Sequence, residues 1–217
     1  MSKSIVLLSG GLDSAVCSYY ARQDSELFAL TFDYGQRHRR EVQSAIAIAT
    51  KLSVSDHQIL ELPLKFLGSS LLDGSPLPEG EITELPNTWI PQRNSIFLAI
   101  AFGYAEVVKA NSVYIGVTAS LYPDAQPSYI HAIEQALNQA SKQFVEEQRR
   151  IYIETPLEGL NKAQVVKMGL KLGVDFSLTT SCYRGEVLAC GKCPPCVARL
   201  KAFKELGLED PIAYERK

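Results

Sequence analysis

The sequence predicts an α/β protein, a doubly wound parallel sheet with a small cysteine-bearing C-terminal segment. Short runs rich in Val, Ile and Leu alternate with segments of helical period, as strands buried on both faces by crossover helices require. The chain has 217 residues, 46% of them hydrophobic, enough for one sizeable core. Four of its five cysteines, Cys182, Cys190, Cys193 and Cys196, crowd the last fifth of the chain. We divide the chain into an α/β domain, residues 1–175, and a cysteine-bearing segment, residues 176–217.

The elements follow in order. Ser4–Leu8 reads as a buried strand and Ser14–Gln23 as a short helix. Glu26–Phe32 is a second strand, Arg39–Leu52 a longer helix, and His57–Leu62 a third strand. Asp73–Pro91 breaks the alternation: four prolines, two glycines and several acids make it a loop, either a solvated connection or a lid over a site. Arg93–Lys109 is a helix and Ser112–Val117 a buried strand. Pro127–Phe144 and Asn161–Leu172 complete the helices, flanking a strand near Ile151–Glu154. Internal repeats and low-complexity tracts are absent.

Charge and hydropathy exclude several classes. The formal net charge of −2 points to neither a nucleic-acid nor a membrane-surface partner. No apolar stretch approaches the ~20 residues of a membrane span, and Ile5–Leu8 is too short for a signal peptide. The expected location is the cytoplasm.

Ligands of an open α/β sheet sit beyond the carboxyl ends of its strands. Ser9–Ser14 (SGGLDS) lies at that place, between the first strand and the first helix. Gly10 and Gly11 permit close backbone approach, Ser9 and Ser14 add hydroxyls, and the helix start offers N–H groups and a positive dipole end. The composition suits a phosphate cradle. Neither GxxxxGK[ST] nor GxGxxG is present. Asp13 would repel phosphates, unless it caps the helix or holds a Mg²⁺ that the phosphates share. A plain strand-to-helix turn with an Asp or Ser cap is the alternative.

Other residues face the same crevice. Asp33, Gln36, Arg37 and His38 follow the second strand, where a charged helix start is the alternative. Arg93 and Asn94 open a helix, where a guanidinium can clamp a phosphate or carboxylate. Gly116 ends the fourth strand as a close-approach glycine. Lys162, at the start of a helix after Asn161, could be a surface charge, Trp89 covers the site or packs its own loop, and His57 and His131 read as structural or surface.

Cys190-x2-Cys193-x2-Cys196 with Cys182 upstream supplies four thiolates, a closed tetrahedral Zn²⁺ site of structural character. C-x2-C-x2-C is also an iron–sulfur spacing, but here the fourth cysteine lies upstream and is not followed by Pro. A metal would pin a segment too small for a core of its own. Cys17 falls in the apolar pattern of the first helix and reads as a core thiol.

SGGLDS resembles the pyrophosphate-binding loop SGGxDS of the ATP pyrophosphatase (PP-loop) superfamily. Downstream, FDYGQRH (32–38), PQRN (91–94), Gly116–Val117, YPD (122–124), ETP (154–156), Lys162–Ala163, TSCY (180–183) and CGKCPPC (190–196) fall in the order of the 7-cyano-7-deazaguanine synthase (QueC) family, over nearly the whole chain. The resemblance implies an adenine nucleotide alpha hydrolase-like fold, and ATP with Mg²⁺ bound through Leu8, Ser9, Gly10, Gly11, Leu12, Asp13, Ser14, Phe32 and Gly116. It implies substrate contacts at Gln36, Arg37, His38, Arg93, Asn94, Tyr122 and Asp124, with Asp13, Ser14 and Arg93 in the catalytic machinery. It also implies zinc at the four cysteines and a homodimer. The implied reaction converts 7-carboxy-7-deazaguanine and ammonia to the nitrile in two rounds: adenylation and amide formation, then a second adenylation and loss of AMP.

The chain departs from that family in TASLYPDAQPSY (118–129), which is shorter, lacks the usual acid and Ser-Gly, and has Ala125 and Gln126 where Cys and Arg are usual. Pro91-Gln92-Arg93 replaces Pro-Gly-Arg. These changes bear on the acceptor, so a relative that transfers the activated acid to a protein amine in antiviral defence is a second reading. A non-enzymatic nucleotide sensor is a third.

Overall fold

The computed structural model describes residues 2–119 and 121–215. Its sheet has five parallel strands, β1 (Ser2–Leu7), β2 (Ser25–Asp33), β3 (Asp56–Glu61), β4 (Ser112–Tyr114) and β5 (Tyr152–Glu154), in the order β3-β2-β1-β4-β5. The helices are α1 (Leu12–Arg22), α2 (Arg40–Leu52), α3 (Arg93–Val108), α4 (Pro127–Gln139), α5 (Lys142–Glu147), α6 (Lys162–Leu172) and α7 (Pro194–Glu205). The chain builds outward from β1 to β3, then returns to add β4 and β5 on the other side of β1, as the doubly wound reading predicts. Ser4 of the central β1 therefore faces Leu27 on one side and Ser112 on the other.

Alternation along β1 divides the core. Val6 and Leu8 pack with α1, α2, α6 and α7, whereas Ile5 and Leu7 pack with α3, Ile130 of α4 and the turn that holds Leu64. Both sets are buried, so the strand reads as an uninterrupted apolar run rather than an alternating one. Cys17, fully buried in the first of these layers, is the core thiol the sequence suggested, and burial pushes its pKa up.

Beyond shifts of one or two residues at element ends, one expected helix breaks early, one expected strand ends early and one helix was not expected. The helix expected over residues 127–144 breaks after Gln139. Buried Asn138 turns inward to donate to the Ile151 carbonyl at 2.8 Å and accept the Ile151 N–H at 2.9 Å. Ser141 then caps the new helix α5. The strand expected over 112–117 leaves the ladder early: after Ile115 N–H donates to Glu154 O, the chain reaches Gly116, which abuts the backbone of Asp13. Helix α7 had no sequence-based expectation, although Pro at its first positions is a start signal.

The C-terminal segment is fastened to the α/β core. Ala202 and Phe203 of α7 belong to the same apolar cluster as α1 and α6. Arg199, 1% exposed, donates to Asp210 at 2.7 and 2.9 Å, to Thr179 Oγ1 at 2.6 Å and to the Phe176 carbonyl at 3.0 Å. Tyr214 donates to the same Asp210 at 2.6 Å.

Candidate active site and metal centre

Strand order reverses between β1 and β4, and the loops leaving these two strands open a cleft of about 320 Å³. Its floor is the Ser9–Ser14 turn. Ser9 Oγ accepts the Gly11 N–H at 3.2 Å and donates to Ser14 Oγ at 2.9 Å, and Ser14 Oγ donates to the Gly11 carbonyl at 3.0 Å. Gly11 is the N-cap of α1 and receives no side-chain cap, which leaves that helix's first N–H groups to a ligand. Asp13 sits in the first turn of α1 but does not cap it.

Gly10 and Gly116 fix this turn. Gly10 has φ +85°, and a Cβ there would lie 2.0 Å from the Glu41 carbonyl oxygen, so only glycine lets the turn lie against α2. Thr180 N–H donates to the Gly10 carbonyl at 3.0 Å, and Thr180 Oγ1 lies 2.7 Å from Ser44 Oγ of α2. A Cβ on Gly116 would come within 3.0 Å of the Asp13 backbone. The turn is held on three sides before any ligand arrives.

A cation reaches the turn from far along the chain. Asn161 and Gln164 form a reciprocal capping box that starts α6, and Lys162, the first residue of that helix, places Nζ 2.7 and 2.5 Å from the two carboxylate oxygens of Asp13. The lysine that the sequence left as either a family position or a surface charge thus stands at the Ser9–Ser14 turn.

The opposite wall is aromatic. Arg93 opens α3 and donates to Tyr34 Oη at 3.4 Å, its guanidinium 5.8 Å from the Tyr34 ring centre. Among the described residues no carboxylate oxygen lies within salt-bridge distance of it. Burial works against the Arg93 charge, but Tyr34, Tyr122, Asp124 and Tyr183 more than offset this, and its pKa is raised. Tyr122 stacks on Trp89 with ring centres 5.5 Å apart, and its Oη lies 3.3 Å from Thr88 Oγ1. Loop 73–91 is therefore joined to the cleft wall at its C-terminal end.

The sequence-derived candidates fall into distinct places. Leu8, Ser9, Gly11, Leu12, Asp13, Ser14, Phe32, Gln36, His38, Arg93, Asn94, Gly116 and Tyr122 line the cleft, together with Lys162. Gly10 supports it from behind. Asp124 is buried beneath it: Oδ2 accepts the Asn94 N–H at 2.9 Å and Oδ1 accepts the Asn94 side-chain amide at 3.2 Å. Burial raises the Asp124 pKa against the pull of these bonds. This carboxylate anchors the start of α3, a favourable place for negative charge. Gln36 turns to its own backbone, accepting the Tyr34 N–H at 2.8 Å. Arg37 points away, donating to the carbonyls of Ser70 at 3.4 Å and Ser75 at 2.9 Å, and holds down loop 73–91. Ser120, in the divergent stretch 118–129, lies outside the described residues. His57 lies 2.8 Å from Thr31 Oγ1 on the edge strand, away from the cleft.

Sequence reasoning did not single out Tyr34, Glu41, Thr180, Tyr183 or Arg199, which also line the cleft. Tyr34, Thr180 and Tyr183 lie inside the quoted stretches 32–38 and 180–183, and Glu41 carried a spacing signal, i, i+3 from His38 at a helix start. Gln92, where glycine is usual, adopts the left-handed φ of +59° that such a position favours.

The four cysteines meet at the base of the C-terminal segment. Their Sγ atoms lie within 4.8 Å of one another, and all four residues are buried. Thiolates ~2.3 Å from one tetrahedral ion stand about 3.8 Å apart, so the donor set fits a single metal ion. An iron–sulfur cubane puts each thiolate on a different iron and spreads the sulfurs further. Backbone N–H groups already point at the sulfurs: Cys193 donates to Cys190 Sγ at 3.3 Å and Cys190 to Cys182 Sγ at 3.4 Å.

No helix among the described residues is long and apolar enough to cross a membrane. Residues 3–207 match the family model described as Queuosine biosynthesis protein QueC. Two relatives called 7-cyano-7-deazaguanine synthase are similar over full length. That of Nostoc punctiforme is 45% identical, covering 98% of this chain and 99% of its own. That of Solidesulfovibrio magneticus is 46% identical, covering 98% and 95%. Among solved structures, NMN synthetase from Francisella tularensis shares the fold at a TM-score of 0.50 and 17% identity, covering 96% of this chain and 73% of its own. The U34-tRNA thiolase NcsA from Methanococcus maripaludis does so at 0.50 and 19%, covering 94% and 66%.

Proposed function

The chain belongs to the QueC family of queuosine biosynthesis proteins, and from that premise we propose how its cleft works. The reaction is ATP-dependent conversion of 7-carboxy-7-deazaguanine and ammonia to 7-cyano-7-deazaguanine, with AMP and pyrophosphate released in each of two rounds. The observation that carries this reading is the meeting, in one cleft, of an anion-binding helix start paired with Lys162 and a guanidinium that has no carboxylate partner among the described residues.

The Ser9–Ser14 turn binds the leaving pyrophosphate with the first N–H groups of α1 and the two hydroxyls, and Lys162 adds a positive charge there. Asp13 holds Lys162 in place and is the turn's carboxylate toward Mg²⁺, which enters with ATP and shares the phosphate charge. Arg93 clamps the deazapurine carboxylate, and Asp124 and Asn94 keep the start of α3 rigid beneath it. Phe32 and Gly116 border the nucleotide, and Gln36 and Tyr122 border the base. The protein supplies proximity and charge stabilisation at the α-phosphate.

The four cysteines hold Zn²⁺, which stabilises segment 176–217 as the closing wall of the cleft and takes no part in the chemistry. ATP and reduced thiolates together suit the cytoplasm, and family resemblance supports a homodimer, which light scattering checks.

Mass spectrometry of reactions holding ATP, magnesium, 7-carboxy-7-deazaguanine and ammonium tests the reading. AMP, pyrophosphate, the amide and the nitrile are expected, all dependent on the acid. ADP with orthophosphate, or AMP formed without the acid, would overturn it. The shortened loop 118–129 gives a protein amine a place as second acceptor, and a mass shift on an added partner protein would reveal it.

A further inference from the structure

Thr180, in the C-terminal segment, is bonded both to the Ser9–Ser14 turn and to the helix behind it. Its N–H donates to the Gly10 carbonyl at 3.0 Å, and its Oγ1 lies 2.7 Å from Ser44 Oγ of α2. Its carbonyl oxygen packs against Gly11, 3.6 Å from where a Cβ would stand. Helix α2 backs the same turn: a Cβ on Gly10 would meet the Glu41 carbonyl, the Ala45 nitrogen and Ser44 Cβ.

The bond to Gly10 decides which way a peptide plane faces. In a trans peptide the carbonyl and the following N–H point in opposite directions. With the Gly10 carbonyl held by Thr180, the Gly11 N–H turns the other way, to Ser9 Oγ at 3.2 Å. Ser9 and Gly11 line the cleft, whereas Gly10 does not. Glycine on both sides of this peptide offers little steric resistance to a flip. A flipped plane would present a carbonyl oxygen to an anion.

Thr180 is itself held from both ends of a short run. Thr179 Oγ1, just before it, donates to the Phe176 carbonyl at 2.7 Å and accepts from buried Arg199 at 2.6 Å. Cys182, two residues after it, is buried in the four-cysteine cluster and accepts the Cys190 N–H at 3.4 Å. Two residues of chain reach about 7 Å at most, so Cys182 cannot shift far without drawing Thr180 along. We propose that Thr180 is a positioning residue of the nucleotide site. Clamped to Ser44 and tethered through Cys182 to the metal centre, it keeps the Gly11 N–H turned toward the phosphates. The inference rests on the proposed roles of the Ser9–Ser14 turn and of the four cysteines. Nucleotide and metal centre are then linked: a nucleotide that favours this peptide plane also steadies the metal-bearing segment, because coupling between two sites is reciprocal.

The test uses the full chain with its metal in place. Calorimetry with ATP and magnesium, without the acid, measures nucleotide affinity in wild type, Thr180→Val, Thr180→Ser and Ser44→Ala. Thr180→Val and Ser44→Ala each remove the hydroxyl contact and keep the backbone bond to Gly10. A single hydrogen bond limits the effect, so ATP affinity should fall by about threefold to tenfold in both. Thr180→Ser, which keeps the hydroxyl, should stay close to wild type, and the KM for the acid should hold in all three variants. Hydrogen exchange reads the metal centre. Residues 187–193 carry Cys190 and Cys193 and do not line the cleft, yet ATP should slow their exchange in wild type and do so less in Thr180→Val and Ser44→Ala. Should Thr180→Val lose its cooperative melting transition, Ser44→Ala decides alone. Unchanged ATP affinity in the variants, or equal ATP protection of 187–193 in variants and wild type, would overturn the inference. A wild-type protein that binds no ATP overturns the proposed function itself, and this inference with it.

Discussion

Lys162 Nζ lies 2.7 and 2.5 Å from the two carboxylate oxygens of Asp13, although 149 positions separate them in the sequence. Both side chains keep 27% of their surface exposed, and a pair so open to solvent contributes ~0–1 kcal/mol to stability. In the proposed reaction its use lies in placing charge where pyrophosphate leaves. Lys162→Met and Asp13→Asn should each lower acid-dependent pyrophosphate release by about 10²–10³-fold, the usual cost of removing one fixed electrostatic partner of a transition state. Their melting temperatures should stay close to wild type. A Lys162→Met enzyme within a few-fold of wild-type activity would reduce the pair to a surface contact.

Metal content follows from the four buried sulfurs. Purified protein should carry about one zinc per chain, with neither iron nor labile sulfide, as elemental analysis checks. Because binding energy at such a site is folding energy, Cys193→Ser or prolonged chelation should loosen the segment that pairs Ala189 with Tyr214 and lower soluble yield. A brown, iron-containing preparation would assign the site to a cluster instead.

Arg199 carries the junction between the C-terminal segment and the core. It is buried with Asp210, and the pair shares a network with Thr179, Phe176 and Tyr214. Arg199→Leu leaves the buried Asp210 charge without a counter-charge, only the Tyr214 hydroxyl and the Ile212 N–H still donating to it, and urea unfolding should show a loss of about 3–5 kcal/mol. Arg199→Lys cannot reproduce the two-pronged contact and should recover only part of it. The double variant Arg199→Leu/Asp210→Leu should be more stable than Arg199→Leu alone, since it removes the stranded charge.

Periodicity and loop chemistry made much of this legible in the chain. The strand-to-helix handover at Ser9–Ser14, the crevice at the carboxyl ends of the strands and the four-cysteine grouping are short-range patterns, and each lies where the pattern put it. What stayed hidden depends on long-range folding. Nothing near Lys162 reveals that its helix delivers it to Asp13, and nothing near Arg199 shows that a lone arginine in a polar helix is fully buried. Arg37 and Asp124 illustrate the converse. Both lie near crevice residues in sequence, yet one guanidinium is occupied by the carbonyls of Ser70 and Ser75, and the other side chain anchors Asn94. Local spacing locates a turn, but the direction a side chain takes from it is set by packing.

Arg93 offers the sharpest test of how the acid is held. Among the described residues its one side-chain hydrogen bond is a long one, 3.4 Å to the Tyr34 hydroxyl, and burial, which works against its charge, is outweighed by the surrounding phenols and Asp124, which raise its pKa. A guanidinium in that setting has donors to spare for a planar carboxylate, and loop 118–129 carries no basic residue to share the task. Arg93→Lys keeps the charge but loses the forked geometry. Hydrogen bonds to charged groups contribute about 1.5–3 kcal/mol, equivalent to a roughly tenfold to hundredfold loss of affinity. Steady-state kinetics should therefore show the KM for 7-carboxy-7-deazaguanine rising by that factor while the KM for ATP changes little, because the proposed function puts the nucleotide's phosphates on the Ser9–Ser14 turn. A rise confined to the KM for ATP would move Arg93 to the phosphates and leave the carboxylate to a different group.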